Sequence, residues 1–109
     1  MINFSSSVLR RTLPGHSAYS ATRTAVDPPT MILAKVLRWR DTLKAVAPGP
    51  VATPMFLEGK DPALVDRIAD SSALGRLGRP DDIAEVVAFL ARPRPPVNGQ
   101  VLHADGGLS

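Results

Sequence analysis

Three short apolar runs, at residues 2–4, 42–47 and 97–104, are separated by stretches whose apolar residues recur at helical spacing. The first, Ile2-Asn3-Phe4, runs into Ser5-Ser6-Ser7 and reads as a short buried strand ending in small polar residues. That is the point where an open α/β sheet presents its chemistry. The second closes on Pro48-Gly49-Pro50, and the third reads as a turn followed by a strand. Strand, helix, strand, helices, strand is an order that implies a layered α/β unit with parallel pairing. No internal repeat interrupts it.

Between the runs, residues 8–17 read as a loop, and a helical pattern begins at Ala18, with Ala21, Ala25 and Val26 apolar. It resumes at Met31, Ile32, Leu33, Val36 and Leu37. Pro28 and Pro29 stand between the two parts, and each proline inside a helix costs about 3 kcal/mol in lost hydrogen bonding and steric clash. The segment is therefore expected to form two short helices, the second starting at Pro28 with Asp27 as its N-cap. Residues 51–60 show no clear period, while Leu64, Val65 and Ile68 suggest a short helix or lid over residues 61–71. The strongest helix is residues 80–90: proline first, acids in the first turn, and apolar positions at 83, 86, 87 and 90. Residues 92–96 then break the chain.

At 109 residues the chain amounts to one domain at most, with a modest core. Cysteine is absent, which excludes disulfides and thiolate metal sites and fits a reducing compartment. His16 and His103 lack partners at metal-ligand spacing, so no metal is expected. The net charge of +3 hides an asymmetry, since residues 1–60 hold eight basic and three acidic residues while residues 61–109 hold five and seven. A basic half can meet phosphate. Its cations are scattered with few interleaved aromatics, which argues against nucleic acid. No apolar stretch approaches the roughly 20 residues of a membrane span. A cytoplasmic location is expected, with an organelle as the alternative, because the first 26 residues are rich in Ser, Thr and Arg and contain no acid.

One group of residues suggests chemistry. On a helix, Tyr19 and Arg23 share a face about one turn apart. An adjacent positive charge favours a phenolate, so such a tyrosine becomes a better proton shuttle. A nearby serine hydroxyl could hold a carbonyl oxygen while the phenol gives it a proton. By itself the pairing is commonplace on surface helices.

Five motifs in order give it a context: Ile2-Asn3-Phe4-Ser5-Ser6-Ser7; Tyr19 to Arg23; Ala47-Pro48-Gly49-Pro50-Val51-Ala52-Thr53; Leu77-Gly78-Arg79-Pro80-Asp81-Asp82-Ile83-Ala84; and Val97-Asn98-Gly99-Gln100 through Asp105-Gly106-Gly107. Along nearly its whole length the chain resembles the C-terminal half of the short-chain dehydrogenase/reductase family. The resemblance implies a partial Rossmann-like, doubly wound parallel sheet of about three strands with flanking helices. It also implies that residues 1–109 are the C-terminal part of one domain, with residues 54–75 covering the substrate. The implied activity is NAD(P)-dependent reduction of aldehydes or ketones. The implied cofactor is NADP or NAD, although the glycine-rich pyrophosphate turn of that family is not found in this sequence.

Carried over by position, the resemblance implies Ser6 as the group that hydrogen-bonds the substrate oxygen, thirteen positions before Tyr19, the general acid/base. Three adjacent serines at a strand end would also simply cap backbone groups. The family's cation beside the tyrosine is lysine; here it is Arg23, whose planar fork donates from other positions, so impaired chemistry is expected. Pro48, Gly49, Val51 and Thr53 match the turn around the nicotinamide, and Phe56, Leu57 and Leu64 favour an apolar carbonyl compound. Lys44 stands where that family usually has asparagine. Together with Pro28-Pro29, these departures suggest a decayed or mispredicted reading frame. Two functions follow: a reductase of small carbonyl compounds, or an inactive fragment or pseudoenzyme that retains association surfaces, as a homo-oligomer or with a full-length relative.

Overall fold

The computed structural model describes residues 1–38, 40–93 and 95–109. The chain runs β1 (Ile2–Phe4), a 3₁₀ turn (Ser7–Arg10), α1 (Ser17–Thr24), α2 (Asp27–Val36), β2 (Lys44–Pro48), α3 (Pro54–Leu57), α4 (Pro62–Asp70), α5 (Pro80–Leu90) and β3 (Val101–Ala104). The three strands form one parallel sheet in the order β1-β2-β3. Asn3 lies opposite Ala45 and Val46 opposite Leu102. Both crossovers are helical, as parallel pairing requires. The α/β class, the parallel sheet and its three strands are as the sequence implied.

The core centres on β2. Leu43, Ala45, Val46 and Ala47 have no exposed surface, and neither has Leu90 of α5. A strand paired on both edges and covered on both faces reads as an apolar run rather than an alternation, and β2 does so except at Lys44. Two side chains tie the layers together. Thr30 of α2, fully buried, donates to the Val26 carbonyl at 2.8 Å and accepts from Asn3 of β1 at 3.0 Å. Asn98 accepts from the Leu43 N–H at 2.8 Å while the Gly99 N–H donates to the Leu43 carbonyl at 2.6 Å, which sets the entry to β3.

Three expectations are corrected. β1 is not a buried strand: Phe4 is 48% exposed, because β1 is the sheet's edge among the described residues and only one of its sides is paired. Asp27 does not cap α2. The Thr30 N–H already bonds the Val26 carbonyl, so the helix begins a residue earlier, with Val26 at the cap position and Asp27 in the first turn. Residues 8–17 are not all loop, since Ser7–Arg10 wind into a 3₁₀ turn. The expected break between α1 and α2 is present, and both prolines occupy the first turn of α2, where a missing N–H costs nothing. The expected break at residues 92–96 includes Arg94, which lies outside the described residues.

α5 is as expected at both ends. Its first turn is anchored by Asp82, which accepts from the Arg79 N–H at 2.7 Å and pairs with both terminal nitrogens of Arg76, at 2.7 and 3.2 Å. The Arg76 hydrogen bonds, with the Arg79 N–H second, hold the Asp82 carboxyl down at about 2. A carboxyl whose folded pKa is depressed stabilises the fold above its unfolded value and loses that contribution as pH falls through the folded one. In urea melts, the stability advantage of the native chain over Asp82→Asn should be constant at neutral pH and shrink between about pH 4 and 2. A constant difference across that window would refute the anchoring role.

Candidate active site

The carboxyl ends of β1 and β2 lie side by side and deliver two turns to one place. After β1, the Ser5 N–H continues the ladder to the Val46 carbonyl at 2.8 Å, which swings Ser6 and Ser7 over the end of the sheet. After β2, the Gly49 N–H bonds the Ala104 carbonyl at 3.1 Å, so residues 48–50 turn against the end of β3. Between these turns is a cleft of about 440 Å³ whose lining includes Ser6, Ser7, Tyr19, Pro48, Gly49 and Phe56.

Ser6 is nearly buried, and its Oγ accepts from the Val8 N–H at 3.3 Å, capping the 3₁₀ turn. Its hydroxyl proton remains free to donate. Ser5 is buried with its Oγ lacking a partner among the described residues, and it does not line the cleft. Tyr19, on α1, is 44% exposed at the cleft's mouth. The Arg23 guanidinium stands 5.3 Å from the centre of the Tyr19 ring, so the two residues meet as the helical spacing predicted, face to cation. Arg23 itself does not line the cleft, and its Nε is buried without a partner among the described residues.

Val51 and Thr53 lie beyond the cleft on the same turn. Val51 pairs with Gly78 in a parallel bridge. The Thr53 Oγ1 accepts from the Phe56 N–H at 3.2 Å and starts α3, a short helix that the unpatterned residues 51–60 did not announce. Of the residues singled out from sequence, Ser6, Tyr19, Pro48, Gly49 and Phe56 share the cleft; Arg23, Val51 and Thr53 flank it, and Leu57 and Leu64 are not in its lining. Arg11, His16, Lys60 and Leu108 also line it and were not singled out as cleft residues. Lys60 had a signal: it follows Phe56 by four positions, and its Nζ lies 4.3 Å from that ring's centre.

Asp105 closes the back of the turn. Burial pushes its carboxyl up, but hydrogen bonds from Ser109 and the Gly107 N–H outweigh burial and hold it below the ordinary value. No cluster of metal-ligating side chains occurs among the described residues.

A parallel α/β sheet with a cleft at the carboxyl ends of its strands, lined by polar groups and a larger share of apolar side chains, defines an open-sheet α/β protein. The chain belongs to the short-chain dehydrogenase/reductase family: the family model described as enoyl-(acyl carrier protein) reductase matches residues 1–109. It is 44% identical over 109 residues to an Arabidopsis thaliana protein named NADPH-dependent aldehyde reductase-like protein, chloroplastic, covering 98% of this chain and 40% of that one. It is 45% identical to a short-chain type dehydrogenase/reductase of Picea abies, with the same coverage. Among solved structures, it superposes on LugOII, a reductase described as catalysing keto-reduction in lugdunomycin biosynthesis, with a TM-score of 0.86 and 36% identity, over 98% of this chain and 43% of that one. A metagenomic blue fluorescent protein in complex with NADPH gives a TM-score of 0.88 at 33% identity, over 99% and 44%. The chain thus spans about two fifths of the length of the relatives it matches.

The turn at Gly49 has no room for a side chain. A Cβ there would lie 2.7 Å from the Asp105 Cβ and 2.8 Å from its Cα. Gly49→Ala is therefore expected to push residues 48–50 away from β3 and destabilise the chain by roughly 1–3 kcal/mol, as overpacking against backbone does. Gly59→Ala, with open space around the position, is the control for a glycine change without a clash, although its φ of 72° adds local strain. If Gly49→Ala melts no lower than Gly59→Ala, the close approach is not structurally important.

Proposed function

We propose that this chain carries the proton-donating part of an NAD(P)-dependent carbonyl reductase site, acting on small aldehydes or ketones. The observation that supports it most is the convergence of Ser6, Tyr19 and the 48–49 turn, from three separate segments, on one cleft. The free Ser6 O–H donates to the substrate's carbonyl oxygen. The Tyr19 hydroxyl, at the mouth, gives that oxygen a proton as the carbonyl carbon is reduced. Apolar side chains, Phe56 and Ile68 among them, line the rest of the cleft and suit a hydrocarbon body.

The residues present fit the nicotinamide and ribose end of a dinucleotide at this end of the sheet; they do not supply a turn for its pyrophosphate. The Val51 N–H has no partner among the described residues, the Thr53 hydroxyl keeps its proton, and the Arg23 Nε is buried and unpaired. That set of donors suits a carboxamide and a ribose. The dinucleotide, NADP or NAD, supplies the hydride when bound. Residues 54–75, with α3 and α4, cover the substrate side. Arg23 keeps the charge of a lysine without its shape, which slows the reaction. The proposed compartment is the cytoplasm; the chloroplastic relative favours an organelle instead.

The full chain, mixed with NADPH or NADH and small aldehydes, should consume nicotinamide above buffer background. Tyr19→Phe should lower the rate by about 10²-fold or more, the usual contribution of a positioned proton donor, and Arg23→Lys should raise it. Background-level consumption by the native chain would end this reading.

A second reading, association without catalysis, has its own support. Met31 is 49%, Ile32 59% and Val36 66% exposed on α2, an apolar face larger than scattered surface residues make. This reading expects self-association, or complex formation with a full-length relative, that is lost in the double substitution Ile32→Lys and Val36→Lys. Light scattering that shows a monomer for the native chain, alone and with such a relative, would dismiss it.

A further inference from the structure

The end of the sheet opposite Ser6 and Pro48, where the chain enters β2 and β3, carries a separate recess of about 700 Å³. Lys44 lies in its wall. It is 3% exposed in the central strand, and its Nζ donates to the Thr42 Oγ1 at 2.6 Å. An ammonium has three N–H donors, and among the described residues no carboxylate forms an ion pair with this one. Taking a charge out of water without an opposite partner is costly, so buried lysines are ordinarily paired.

The surroundings add charge of the same sign. Arg38, Arg40 and Arg92 line the recess and are exposed. Asp41 is the one acid in that lining among the described residues; its carboxylate accepts from the Thr42 N–H at 2.7 Å and pairs with the Met1 amine at 3.5 Å, and it feels the Lys44 charge without forming an ion pair with it. Asn98, also in the lining, spends its Oδ1 on the Leu43 N–H, which leaves its amide NH₂ as a donor. The recess thus presents donors and positive charge with almost no acceptor to meet them. A group with several anionic oxygens answers both deficits at once, and arginine forks bind such oxygens in pairs.

We propose that this recess binds a small phosphate-bearing anion, with the Lys44 ammonium at its base and Arg38, Arg40 and Arg92 at its rim. The site is distinct from the Ser6–Tyr19 cleft, shares no lining residue with it, and stands whether or not the chain reduces carbonyls.

The test is calorimetric titration of the full chain with inorganic pyrophosphate and with orthophosphate at low ionic strength. One equivalent of pyrophosphate should bind. Lys44→Met should weaken binding about tenfold or more, as loss of a charge-assisted bond does. Because Lys44→Met alters a buried position of the central strand, Arg38→Ala and Arg92→Ala, at exposed positions, carry the test independently; each should weaken binding about threefold. Lys35→Met, an exposed cation on α2, and Arg11→Met, in the cleft, should leave affinity unchanged. The proposal is overturned if no heat exceeds dilution, if Lys35→Met weakens binding as much as the recess variants, or if Arg11→Met alone abolishes it. Capture of a single-stranded oligonucleotide or of phosphatidylglycerol vesicles without uptake of pyrophosphate would likewise overturn it, by showing a surface for a polyanion instead of a pocket.

Discussion

The hydrogen-bond ladders on both edges of β2, together with burial of its side chains on both faces, determine where every other element can lie. Leu43, Ala45, Val46 and Ala47 are sealed from solvent, so the strand cannot shift by one residue without exchanging its neighbours on each side. β1 and β3 take their register from it, and α2 and α5 pack over it. The polar bonds that complete the arrangement are few and long-range: Thr30 to Asn3, and Asn98 to Leu43. Each satisfies a group that burial would otherwise leave unpaired, so each specifies position as well as adding stability.

The location of the cleft follows from that constraint. Parallel strands end on the same side, so the serines after β1 and the proline–glycine turn after β2 become neighbours although forty residues separate them. α1 then brings Tyr19 to the mouth. None of these residues is unusual locally. Ser6 caps a turn, Thr53 caps a helix, and Tyr19 stacks under a cation, each of which is ordinary structural work. What distinguishes them is position: Ser6 and Tyr19 line one cleft, and Thr53 starts the short helix beside it.

Much of this was legible in the sequence, for identifiable reasons. α5 was readable to the residue because proline, two acids and an apolar stripe all indicate the same helix. The parallel α/β class followed from element order, which does not depend on exact boundaries. β1 was misjudged because three apolar-looking residues say nothing about which edge or face is covered; that depends on the sheet order. Asp27 was misjudged because its side chain suits a cap, yet the backbone bond from Thr30 to Val26 starts the helix first. α3 was invisible because a four-residue helix is shorter than the period that would reveal it. Arg11 was not singled out, and His16 was weighed only as a metal ligand, because the cleft is assembled by tertiary structure and nothing in their immediate sequence marks them as part of it.

Arg23 and Lys44 are both cations, and their surroundings give them opposite consequences. Arg23 is half-buried against an aromatic face, a setting that suits a weakly hydrated, delocalised charge, so the guanidinium is accommodated without a carboxylate. Lys44 is a compact, strongly hydrated charge within a central strand, held by one hydroxyl. An asparagine amide at that position would offer two donors and an acceptor and no net charge, and could be satisfied by neighbouring hydroxyl and backbone groups alone. The ammonium has no such solution, since every one of its hydrogens seeks an acceptor and its charge seeks a counter-charge. Substituting one for the other therefore changes more than a hydrogen-bond pattern: it places a charge, with the Asp41 carboxylate near but not in contact, at the end of the sheet remote from the Ser6–Tyr19 cleft.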